Sequence, residues 1–147
     1  MFGIAVPDTE KDREDQRMSM RVLAFAPSLN VVSQDAGGIT AEGFPMKSCY
    51  VDAFPTQITV PVVAAFCSAG GINFDSRKVI VATSPDGERV GILEFAWDWP
   101  DDPKLGVKFR VFAQHLRMTV KTAGIYAVGL YDCQWTSVTA RWRTWEL

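Results

Sequence analysis

The segment Ser84-Pro85-Asp86-Gly87-Glu88 constrains this chain most, because it lies between two runs that alternate with the two-residue period of a strand. Residues 77–83 precede it and residues 89–97 follow it. Pro85 presets the first central angle of a turn, Asp86 tolerates the second, and Gly87 can take the positive φ that lets the flanking strands pair. An antiparallel hairpin is the expected result. In its second strand Leu93, Phe95, Trp97 and Trp99 share one parity, with Glu94 and Asp98 on the other. The strand therefore has one dry face and one wetter face.

The same period recurs along most of the chain. Residues 20–26 read as a strand that Pro27 ends or bends, residues 28–34 as strand or turn, and residues 39–44 as a short extended piece closed by Gly43 and Pro45. Residues 47–54 read as a strand stopped by Pro55. Between 56 and 68 the pattern is apolar on both parities after Val60, which predicts a strand covered on both sides. Its β-branched content and Pro61 argue against a buried helix. Residues 107–120 change parity: Val107, Phe109 and Val111 align, and Leu116, Met118 and Val120 align oppositely. A β-bulge or bend near Ala113-Gln114 accounts for that change. Residues 125–131 put Tyr126, Val128 and Leu130 on one face and Ile125, Ala127 and Gly129 on the other. The last strand is expected over 136–145.

No long segment carries a helical stripe. Seven to nine strands, with turn signals every ~8–12 residues, predict an all-β antiparallel sandwich or barrel. The sandwich is the expectation, over residues 20–147. Residues 8–17 are a charged run with no apolar stripe, so residues 1–19 are read as a flexible N-terminal arm. Two other readings stay open. Met18 or Met20 starts the domain proper, or Phe2, Ile4 and Val6 anchor on a neighbouring subunit by adding a strand to an exposed sheet edge.

The pattern Gly124-x-Tyr126-x-Val128 after a turn resembles the penultimate strand of immunoglobulin-like sandwiches, where a Tyr at the strand entry hydrogen-bonds back to the preceding corner. Val128 stands where antibody-type domains carry a Cys, so the inter-sheet disulfide is missing. The order of features over 20–147 is also similar to a family of small uncharacterised bacterial β-sandwich proteins. That resemblance implies a fold and no chemistry.

Composition narrows the function classes. With 147 residues, 48% hydrophobic and 12% aromatic, the chain can bury a real core without staples. A net charge of -2 leaves no basic footprint for nucleic acid. The longest apolar-rich run, 58–69, is too short to span a bilayer, for which ~20 residues are needed. Cys49, Cys67 and Cys133 are far apart and odd in number. With no signal-like N-terminus, reduced thiols in a cytoplasmic protein are expected, or a virion component if the chain is phage-encoded.

His115 is the single histidine, and no nucleophile elbow, P-loop or dinucleotide fingerprint occurs. No catalytic residue, cofactor or metal is therefore expected. Asp98, Asp101 and Asp102 gather in one loop, but their spacing is not an EF-hand, and they read as solvated acids. Arg141, Arg143 and Trp145 share one face of the last strand and are the candidate residues for a protein partner or self-association, since Trp and Arg are enriched at interfaces. The alternative is a carbohydrate-binding module that stacks sugar rings on exposed Trp97, Trp99 and Trp145. By parity Trp97 and Trp142 belong to the core.

Overall fold

The computed structural model describes residues 20–70, 77–99, 104, 106–132 and 138–146, the last stretch without its side chains. Nine strands and no helix occur among them: β1 (Arg21–Pro27), β2 (Asn30–Ser33), β3 (Ile39–Glu42), β4 (Thr56–Ala69), β5 (Arg77–Thr83), β6 (Arg89–Ala96), β7 (Val107–Val120), β8 (Ile125–Asp132) and β9 (Val138–Glu146). They form a three-stranded sheet ordered β1-β4-β7, a β2-β3 hairpin and a four-stranded sheet ordered β6-β5-β8-β9. Every pairing is antiparallel. No helix is long and apolar enough to cross a membrane among the described residues. The arm expected over 1–19 lies outside those residues.

The two larger sheets share one core. Val62, Ala64 and Phe66 of β4 and Leu116, Met118 and Val120 of β7 join Ile80 and Ala82 of β5 and Tyr126, Val128 and Leu130 of β8 in one buried cluster. Sheet edges approach on both sides, β6 beside β7 and β1 beside β9. Gly91 makes the first approach possible: a Cβ there would stand 2.7 Å from the Arg117 carbonyl oxygen on β7.

The β5–β6 hairpin forms on the expected turn. Gly87 has φ +83°, its N–H donates to the Ser84 carbonyl at 3.0 Å, and the Ser84 N–H donates to Glu88 O at 2.8 Å. In β8 the expected faces are also present, with Tyr126, Val128 and Leu130 at most 1% exposed. The small residue on the opposite face makes room for a ring, since a Cβ on Gly129 would come within 2.7 Å of the Tyr131 side chain.

Pro61 sits inside a central strand without leaving a hole in the ladder. In an antiparallel strand the nitrogen and carbonyl of one residue point to the same side. The Pro61 carbonyl accepts from the Ser28 N–H at 2.8 Å, just past the end of β1, so its nitrogen faces a position where no ladder bond is required. Ser28 is fully buried, and its hydroxyl donates to the Glu42 carbonyl at 2.6 Å, which seats the β2-β3 hairpin against this end of the sheet.

Three expectations are corrected. Residues 47–54 make no strand; they lead to β4, both of whose edges are already taken by β1 and β7, so the segment has no ladder to join there. β7 has neither bulge nor bend near Ala113-Gln114, because all fourteen of its residues pair with β4 in an unshifted register from Thr56↔Val120 to Ala69↔Val107. Finally, β4 is covered fully on one side only. Its core-facing residues from Val60 to Ser68 are buried, whereas on the other face Val63 is buried but Ala65 and Cys67 are only half-buried.

Candidate binding surface

An unbroken β7 changes the meaning of its parity switch. Side chains alternate between faces, so with no bulge Val107, Phe109 and Val111 must point away from the core that Leu116, Met118 and Val120 occupy. Across the sheet they meet the outward residues of β4, with Cys67 opposite Phe109, Ala65 opposite Val111 and Val63 opposite Ala113. The result is an apolar outer face on the three-stranded sheet. Phe109 is 64% exposed, Leu23 51% and Val107 49%.

Leu23 reaches that face through a register shift. Val22 pairs with Phe66 and Ala24 with Ala65, so Leu23 is the extra residue of a β-bulge and is turned out of the ladder. Over this face stands the turn of the β2-β3 hairpin, where Gly37 and Gly38 have φ +91° and +82°. Between turn and sheet runs a groove of about 500 Å³ lined by residues 36–38, by the apolar Leu23, Ala65, Phe66, Phe109 and Val111, and by the charged Arg110. The charged residues on this face of the three strands are Arg21, beside Cys67, and Arg117, beside Thr59; both are exposed. Covering Phe109 would remove roughly 100–160 Å² from water, worth about 2–4 kcal/mol.

The tryptophans of β6 and its extension point elsewhere. Trp97 is buried, stacked on Phe66 at 5.0 Å and 10° and flanked by Phe95 and Phe112. Trp99 is half-buried and tilted 54° to Trp97, with the Lys108 ammonium 5.0 Å from its ring centre. Trp97 and Trp99 therefore present no flat row to a sugar. The parity reading that placed Trp97 in the core is the one the packing follows.

No family model, curated protein or solved structure matches this chain.

The partner residues expected on the last strand are placed by backbone alone. Arg143 pairs with Ala127 and Arg141 with Gly129 on β9, an edge strand. Trp145 falls in the shift between the pairs Tyr126↔Thr144 and Ile125↔Glu146. The side chains of all three, like residues Asp101, Asp102, Trp135 and Cys133, lie outside the described ones.

Asp98 and His115 do not converge. The Asp98 carbonyl accepts from Arg110 Nη2 at 2.6 Å, and His115 lies five residues further along β7, about 16 Å away at strand rise. Both are exposed. Among the described residues no three His, Cys, Asp or Glu side chains gather to hold a metal, and Cys49 and Cys67 are free thiols. Burial pushes the Cys49 thiol pKa above its usual value.

Sequence reasoning missed the outer face because it explained the parity change by a bulge or bend near Ala113-Gln114, which would put both apolar sets on one face. The signal was present in β4. Val63, Ala65 and Cys67 are apolar on the parity opposite Phe66, and pairing the two strands without a break aligns both sets.

Proposed function

We propose that this chain is a non-enzymatic binding or assembly protein, an antiparallel β-sandwich of immunoglobulin-like arrangement whose outer β1-β4-β7 face associates with further copies of itself. The observation that carries this reading is the exposed apolar row of Leu23, Val107 and Phe109, which has no role in the core. Two features support the sandwich. The two larger sheets contribute to one buried cluster, and the buried Tyr126 hydroxyl donates to the Thr122 carbonyl at 2.7 Å, back into the corner before its own strand.

Light scattering over a wide concentration range tests the assembly reading. The mean mass of the wild-type chain should rise with concentration, and Phe109→Asp, an exposed substitution, should hold it at the monomer. A wild-type chain that stays monomeric throughout refutes the reading.

A further inference from the structure

We propose that the outer groove receives the Tyr50 ring of a second copy of this chain. The inference rests on the assembly role proposed for that face and names the side chain that enters it. Among the described residues ten large hydrophobic side chains are exposed, and eight of them fall into two regions. Leu23, Val107 and Phe109 belong to the outer face, whereas Leu29, Val32, Phe44, Tyr50 and Phe54 lie in the β2-β3 hairpin and the segment leading from it to β4. The first region is concave, because the hairpin turn overhangs it. The second carries the most exposed side chain of the ten: Tyr50 is 90% accessible, although tyrosine is ordinarily of intermediate burial.

Tyr50 does not reach the groove of its own chain. Thr56 and Ala65 are nine residues apart on β4, about 30 Å at strand rise. Tyr50 precedes Thr56 by six residues, which span at most ~22 Å when fully extended, so a straight run toward the groove still falls short of Ala65. The segment does not take that course: Met46 belongs to the buried cluster and Cys49 packs against it, on the side of β4 opposite to the groove. A second copy meets no such limit. Leu23, Phe109 and Val111 give the groove apolar walls and Arg110 a charged border, which suits an apolar ring that ends in a hydroxyl. Charge is complementary as well. Lys47 and Asp52 are exposed on either side of Tyr50, while the receiving side has Asp35 next to the overhanging turn, Arg110 in the lining and Arg21 in the cross-strand row of Phe109. Docking the ring removes roughly 150–200 Å² of it from water, against ~800 Å² per partner in a standard interface, so the association is weak and concentration-dependent.

Complementation between two variants of the full chain tests the contact. Tyr50→Asp keeps its groove and loses its ring, and Phe109→Asp keeps its ring and loses its groove. In light scattering each variant alone should stay at the monomer mass, and an equimolar mixture should regain association, because one intact ring then meets one intact groove. Tyr50→Ser, which adds no charge, should weaken self-association at least ~30-fold, the loss typical of a central anchor residue. Far-UV spectra and melts of each variant verify the fold. A Tyr50→Asp or Tyr50→Ser chain that associates as well as wild type overturns the inference and leaves the assembly reading standing, with outer face packed on outer face. A mixture no heavier than its components overturns it too. A wild-type chain that stays monomeric at every concentration is a different result, which removes the assembly reading and this contact with it.

Discussion

Replacing Gly124 by valine should lower the melting temperature by about 8–16 °C, for two separable reasons. Gly124 has φ +147°, a backbone region where a side chain is strained, and holding a β-branched residue there costs about 1–3 kcal/mol. A Cβ at this position would also stand 2.6 Å from Cγ of Pro85, and overpacking of that kind costs a further ~1–3 kcal/mol. Pro85 has little freedom to retreat, since it lies within the β5–β6 turn closed by the hydrogen bonds of Ser84, Gly87 and Glu88. The two ranges centre on a total of about 4 kcal/mol, which converts at ~2–4 °C per kcal/mol for a domain near this size. Thermal melts of four proteins separate the two parts: wild type, Gly124→Val, Pro85→Ala and the double variant. Removing the proline ring should return the steric share and leave the backbone share, giving a coupling of at least ~1 kcal/mol between the sites. A Gly124→Val protein melting within a degree or two of wild type would refute the reasoning, and strictly additive losses would refute the contact with Pro85.

Other perturbations test the core and the thiol. Tyr126→Phe keeps the buried ring but deletes the donor to the Thr122 carbonyl, and should cost about 1–2 kcal/mol, or ~3–6 °C in a melt. Phe66→Ala removes the ring stacked on Trp97 at 5.0 Å; about 3–5 kcal/mol should be lost in denaturant titration, with a weakened near-UV signal in the protein that remains folded. Because burial raises the Cys49 pKa, less thiolate is present at a given pH, so peptide mapping after iodoacetamide at pH 8 should show slower alkylation than of a free cysteine. An equal rate would contradict that assignment.

Local chemistry was the part of the fold legible in the sequence. The Pro85-Asp86-Gly87 turn, the dry parity of β6 and the core parity of β8 each follow from residues within a few positions, and each is present. Residues 47–54 show where that reasoning ends. Their alternation suits a strand, but a strand also needs an unpaired neighbour, and whether β4 has one depends on β1 and β7, which are distant in sequence. The outer face was obscured for a related reason. A parity switch within one strand is compatible with a bulge or with apolar residues on both faces, and only the register against a second strand decides between them. Trp97 was legible because its parity matched Phe95. Leu23 was not, since its exposure comes from a one-residue shift that no local pattern encodes.

The unshifted pairing of β4 with β7 also bears on how the molecule answers a mechanical pull. Fourteen consecutive pairs extend over about 45 Å without a defect, whereas β1–β4 and β8–β9 each contain at least one register shift. The described chain enters at β1 and leaves at β9, and these are edge strands of different sheets. Force applied through its two ends therefore reaches the interrupted ladders first. Peeling of β1 and β9 would precede rupture of the long one, and β4 with β7 would remain as the last intact spine of an extending chain.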